Sequence, residues 1–152
     1  MTNFDSKDLG SALSRVIDEA KPRLRAVSED ESLVPVLVGG WSRKQLIGHL
    51  IDSASNNHQR FVRAMVQGAL EFPRYDQDGN VRVQAVQEAE WGLLVSLFAS
   101  YNRYLAHVIT RIPEDRLGTV CRIGDGEPVT LGFLAEDYLV HLKHHLGQIG
   151  LA

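Results

Sequence analysis

The chain has 152 residues, with 16 Lys and Arg against 19 Asp and Glu, six His and a single Cys. The length fits one domain with room for a core, and 44% hydrophobic with 23% charged residues excludes a disordered chain. A net charge of −3 argues against a nucleic-acid partner, and one cysteine excludes both an internal disulfide and thiolate-rich metal sites.

No apolar run approaches the ~18 residues of a membrane span. Met1-Thr2-Asn3-Phe4-Asp5 has neither the basic nor the apolar region of a secretory signal. A cytoplasmic, reduced location is therefore expected.

The first apolar periodicity predicts a helix from about Ser6 to Ala26, with Leu9, Leu13, Val16, Ile17, Ala20 and Leu24 on its inner face. Asp5 or Ser6 can cap it, and Pro22 should kink or reset it. Residues 27–40 read as a connection, in which Ser28-Glu29-Asp30-Glu31 is a solvated acidic stretch.

Ser42 and Gln45 form a capping-box pattern, so a second helix starts there. It should run to about Gln67 and stop at Gly68, with Leu46, Leu50, Phe61 and Met65 in the core. Residues 68–80 read as a turn-rich loop. A third helix is expected from about Val83 to Arg111, with Val86, Leu94, Leu97, Phe98, Tyr101, Leu105, Val108 and Ile112 as its apolar stripe.

Residues 113–129 form the last connection, with a small hairpin possible around Gly124-Asp125-Gly126-Glu127. The fourth helix should start with Thr130 as N-cap and end near Gly150. Four such helices in one domain spanning 1–152 predict an all-α four-helix bundle with minor strand content.

Three of the six histidines fall within residues 141–145. His141 and His145 are four apart, hence one turn apart on nearly one helix face. That spacing lets two imidazoles share one metal ion, with Zn–N near ~2.0–2.1 Å. Taken alone, such a pair also occurs on ordinary solvent faces.

His49 sits among Leu46, Ile47, Leu50 and Ile51, so it is not on an ordinary exposed face. Three imidazoles from two helices would leave coordination positions open, the layout of a catalytic metal site. His144 lies near the same face as His141 and is placed at the rim, with a ligand role kept open. Asp137 either orients His141 or is a solvated helix charge.

His58 is half a turn out of phase with His49, and His107 reads as a surface or helix-contact residue. His49, Ser53, Asn56 and Arg60 form a polar stripe bordered by Asp52. Either the stripe faces water, or it lines a pocket with Asn56 as hydrogen bonder and Arg60 as anion binder. Cys121 reads as a buried structural thiol.

Trp41-Ser42, Gly48-His49-Leu50-Ile51-Asp52-Ser53-Ala54, Asn56-Asn57, Gln59-Arg60-Phe61, Asp137-Tyr138, His141-Leu142-Lys143-His144-His145-Leu146 and Gln148-Ile149, in that order, resemble the DinB/YfiT-like superfamily. The resemblance covers essentially the whole chain. It implies a four-helix bundle in which His49, His141 and His145 bind a divalent metal, commonly zinc or nickel.

It also implies a metal-dependent hydrolase, or a transferase or isomerase using a low-molecular-weight thiol such as bacillithiol or mycothiol, and often a homodimer. Water activation by the metal is the first expectation, with Asp52, His144 and Asp137 as proton-transfer candidates. Thiolate binding at the same ion is the alternative. A non-catalytic bundle that binds a small molecule or metal is a third.

Overall fold

The computed structural model describes residues 5–150. Met1–Phe4, part of the stretch that bears on a secretory signal, lie outside the described residues. Four long helices dominate: α1 (Ser6–Arg25), α3 (Arg43–Gln67), α5 (Trp91–Thr110) and α6 (Leu131–Ile149). Two short ones, α2 (Glu29–Leu33) and α4 (Gln77–Val83), and three short strands, β1 (Ala69–Phe72), β2 (Val120–Ile123) and β3 (Val129–Thr130), complete the elements used below.

The helix ends follow their capping chemistry. Asp5 accepts from the Lys7 amide at 2.8 Å and caps α1. The capping box of α3 is complete: Gln45 N donates to Ser42 Oγ at 3.2 Å, and Ser42 N donates to Gln45 Oε1 at 2.9 Å. Gly68 ends α3 with φ +74°, a left-handed conformation that L side chains resist. Thr130 Oγ1 accepts from Phe133 N at 3.1 Å and starts α6.

Around the bundle, α1 packs on α5 and α6, and α3 packs on α5 and α6. The helices α1 and α3, successive in the chain among the long helices, are therefore not principal neighbours. Leu13, Ile17, Leu24, Ile47, Leu50, Phe61, Phe98, Leu105, Ile109, Leu131 and Leu142 form the fully buried centre.

The strands form one sheet in the order β1-β2-β3. β1 pairs parallel to β2, with Leu70 opposite Cys121, and β2 pairs antiparallel to β3, with Cys121 opposite Val129. Because β1 follows the C-terminus of α3 and β3 runs into the N-terminus of α6, these helices run in opposite directions from the sheet. Residues early in α3 thus lie beside residues late in α6.

Several expectations are corrected. The third helix begins at Trp91, not Val83. Residues 83–90 instead end α4, pass Ala85 at φ +49° and make a single turn at Val86–Glu88. Val86 is buried against Gly48 of α3, so its apolar character belongs to that contact and not to a longer α5 stripe.

The loop expected over 68–80 holds β1 and the start of α4. Asp76 accepts from Gly79 N at 2.9 Å, which turns an apparent turn motif into a helix cap. The 27–40 connection contains α2, capped by Ser28. Pro22 lies inside α1, which runs on to Arg25; so near the end, only the bond to the Asp18 carbonyl is lost. Leu97 is exposed and Met65, Leu9, Val16 and Tyr101 are half-buried.

Glu29 is not merely solvated. It pairs with the buried Lys44 and accepts from Trp91 N at 3.0 Å, capping α5 from another segment. Lys44 also donates to Ala89 O at 2.6 Å, and Trp91 Nε1 donates to Leu24 O at 2.9 Å. Four segments are tied together at the end of the bundle where α3 begins.

The α1–α5 contact depends on a glycine. A Cβ at Gly10 would lie 2.2 Å from Thr110 Cγ2 and 2.7 Å from the Ala106 carbonyl oxygen. Gly10→Ala should lower stability by about 1–3 kcal/mol through overpacking. Gly92→Ala, where a Cβ meets open space in α5, should be neutral or stabilising by up to about 1 kcal/mol. Urea denaturation of the two variants checks the contrast.

Candidate metal centre

His49 lies in the second turn of α3, and His141 and His145 lie in the last two and a half turns of α6. The antiparallel arrangement brings them together. His49 Nε2 is 3.2 Å from His141 Nε2, and His145 Nε2 is 3.1 Å from the same atom. One ligand atom from each residue lies within 4.8 Å of the other two.

Nitrogens held about 2.0–2.1 Å from one tetrahedral ion would be roughly 3.4 Å apart, so the two short separations suit a shared ion. Three neutral imidazoles satisfy each other poorly, because each contact needs one N–H and one lone pair. A divalent ion takes all three lone pairs. The donor set therefore fits the group.

The surroundings prepare the imidazoles as neutral ligands. His49 is completely buried, and Trp41 packs on its ring at 5.0 Å between centroids. Burial is the largest cause pushing its pKa down to about 4; the neighbouring His145 and His141 add to it.

Burial first, then His145, lowers His141, while Asp137 opposes the shift and His144 adds to it. Burial also lowers His145, opposed by its hydrogen bond to Gln148 and reinforced by His144. His145 Nδ1 lies 2.7 Å from Gln148 Oε1; as donor it leaves the Nε2 lone pair facing its partners. His49 Nδ1 has no hydrogen-bond partner, so packing on Trp41 holds that ring.

Two spaces flank the centre. A cleft of about 310 Å³ runs from His141 along α3 and α6 toward the sheet, lined by Ser53, Asn57, Arg60, Tyr75, Asp137 and Tyr138 among others. A smaller hollow of about 200 Å³ beside His145 is lined by Val36, Leu37, Trp41, Leu46 and Gln148.

The other sequence candidates separate. Arg60 and Asp137 line the cleft. Asn56 does not; its side chain donates to the Asp52 carbonyl at 2.9 Å, and Asn57 takes the lining position. Asp52 is held by Gln84 Nε2 at 2.9 and 3.0 Å, and burial raises its pKa against that bond.

His144 is exposed, with its ring edge-on to His145 at 5.1 Å, outside the converging set. His58 contacts the Tyr101 hydroxyl at 2.8 Å on another face, and the exposed His107 stacks on Tyr104. Cys121 is buried in β2.

Tyr75, Tyr138, Asn57 and Gln148 were not assigned from the sequence. Gln148 was readable, because it follows His145 by three on the same helix. Tyr75 was not, because it lies between β1 and α4 with no periodicity to place it. Tyr138 is fully buried with its hydroxyl donating to Asn102, and burial raises its pKa.

Residues 12–149 match the family model of the DinB superfamily. The chain belongs to the DinB superfamily. It is 28% identical over 116 residues to a Bacillus pumilus protein named "putative metal-dependent hydrolase", covering 76% of this chain and 66% of that protein. It is 25% identical over 149 residues to YfiT of Bacillus subtilis, named in the same way, covering 95% and 84%.

The fold matches the solved structure of YfiT with a TM-score of 0.88 at 18% identity, over 99% of this chain and 86% of that one. That structure is described as an unusual four-helix bundle topology, in keeping with the helix order above. A mycothiol-dependent maleylpyruvate isomerase matches with a TM-score of 0.67 at 15% identity, over 100% of this chain and 64% of that one. The expected all-α four-helix bundle is thereby shown. The relatives' names and the three-histidine cluster together support a divalent metal. No described helix is long and apolar enough to cross a membrane.

The buried histidines give a pH signature to the metal-free protein. His49 binds its proton near pH 4 when folded and near 6.5 when unfolded. As pH falls through that window the unfolded chain takes up the proton first, so stability is full above 6.5 and declines toward 4. Urea midpoints with chelator present should drop between pH 7.5 and 4.5, and His49→Gln should flatten that dependence.

Proposed function

We propose that this chain is a divalent-metal-dependent hydrolase of a small molecule, with His49, His141 and His145 as the ligands. The observation that carries the reading is the convergence of three neutral imidazoles, one of which, His141, lines a cleft between α3 and α6. When bound there, zinc or nickel supplies Lewis acidity, lowering the pKa of a water toward about 7 and polarising an acceptor oxygen.

The chain's own residues do the rest. His49 Nε2, His141 Nε2 and His145 Nε2 present lone pairs, Gln148 fixes the His145 tautomer, and Trp41 excludes water from the His49 side. Of the proton-transfer candidates, Asp137 lines the cleft together with His141, one turn away on α6. Its carboxylate is the proposed proton acceptor. Asp52 is engaged by Gln84, and His144 lies on the outer side of His145.

Transfer of a low-molecular-weight thiol is the second reading and uses the same three imidazoles. We also propose a homodimer, for which Leu93, Leu97 and Tyr104 offer an exposed apolar face on α5. A cytoplasmic location belongs to the proposal as well.

Zinc titrated into metal-free protein by calorimetry should bind one ion per chain. His49→Ala should abolish that binding, and Gln148→Ala should weaken it about 10–100-fold. Zinc-loaded protein should then hydrolyse members of a panel of small activated esters and amides without added thiol. Asp137→Asn should lower kcat about 10²–10⁴-fold while one zinc ion per chain still binds. Product formed only with added bacillithiol or mycothiol would favour the second reading, and a wild-type chain that binds no metal would contradict both.

A further inference from the structure

The cleft below His141 holds a cation that the chain leaves without a counter-charge. Arg60 is half-buried on α3, and its Nε is shielded from solvent with no hydrogen-bond partner. Its guanidinium lies 5.2 Å from the centroid of the Phe72 ring. No carboxylate among the described residues is within ion-pair distance of it.

Three cations among the described residues do have a carboxylate partner. Lys44 takes Glu29, Arg103 takes Asp18, and Arg74, the other cation of this cleft, is exposed and lies 3.5 Å from Asp125. Arg43 also has an orphaned Nε, but its Nη1 donates to the Glu31 carbonyl and it does not line the cleft. A partly desolvated guanidinium with no partner is costly, and the cost is recovered when an anion arrives.

We propose that Arg60 anchors a single carboxylate at the far end of an elongated substrate whose reacting group lies at the three imidazoles. The inference rests on the metal-dependent reading above and names its substrate class. One unpaired guanidinium balances one negative charge, and its fork matches a carboxylate.

The group beside it is neutral. Tyr75 lies against Arg60 and Ser53; burial, opposed by Arg60, raises its pKa, so its hydroxyl keeps a proton to donate. Asp137 lines the same cleft, and Asp52 acts on Tyr75 from the neighbouring helix face. Those carboxylates disfavour a dianion such as phosphate.

Length follows from the helix. Arg60 is eleven residues beyond His49 on α3, about 16 Å along the axis. An arginine side chain leans toward the helix N-terminus, so the two substrate groups stand on the order of 10 Å apart. A cleft of about 310 Å³ is at the small end for such ligands.

The test uses octanedioic acid monohydroxamate and its methyl ester, probes with one metal-binding head and a charged or neutral tail. With zinc-loaded wild-type protein, calorimetry should find the acid bound about 10- to 100-fold more tightly than the ester. The gap should close in Arg60→Gln and narrow in Tyr75→Phe, in both through a larger loss of affinity for the acid than for the ester. Equal affinities in the wild type, or a gap that survives Arg60→Gln, overturn the proposal and leave the metal reading standing.

If neither probe binds in a His49-dependent way, the metal reading has failed. The anion anchor is then read in zinc-free protein by NMR of the Arg60 Nε–H. A shift with octanoate but not octanamide supports it, and no shift overturns it.

Discussion

A buried imidazole must offer its lone pair to something, and at one end of this bundle His49 and His145 both face His141 Nε2, at 3.2 and 3.1 Å. Water does not reach His49, and its ring has no hydrogen-bond partner on the far nitrogen. Burial holds all three rings in their neutral form. Neutral, converging and poorly satisfied by each other, they are matched to a cation that accepts three lone pairs.

That convergence depends on where α3 begins and which way α6 runs. The buried Lys44 draws Glu29, the Ala89 carbonyl and, through Glu29, the Trp91 amide to the first turn of α3. The three-stranded sheet fixes the opposite end, because β1 leaves α3 and β3 enters α6. With both ends set, the second turn of α3 lies opposite the last turns of α6. The cleft is the remaining space between these helices, closed toward the sheet by Arg74, Tyr75 and Ile123.

Much of this was legible because helices write their periodicity into sequence. The capping box at Ser42, the stop at Gly68 and the cap at Thr130 were readable from short-range chemistry. The His141–His145 pairing followed from one helical turn. His49, 92 residues from His141, was placed with them by its apolar neighbours and by the family resemblance, since spacing alone carries no such information. The strand pairing of β1 with β2 joins residues about fifty apart and leaves no local signal, so Arg74 and Tyr75 could not be brought to the cleft. Helical projection favoured Asn56 over Asn57: relative to His49 they lie about 20° and about 80° away. The cleft, however, opens on the Ser53 side of the stripe, where Asn57 stands. Val86 misled for a related reason, since an apolar residue packed on Gly48 looks the same in sequence as one on a continuing α5.

The central claim is that three histidine nitrogens hold one ion and leave coordination positions to water or substrate. X-ray absorption at the zinc edge of the stoichiometrically loaded protein tests it most directly. The account predicts three imidazole scatterers at about 2.0–2.1 Å and at least one further light atom that exchanges with added ligand. A shell of four protein ligands, with His144 among them, or a shell of water oxygens alone, would contradict it.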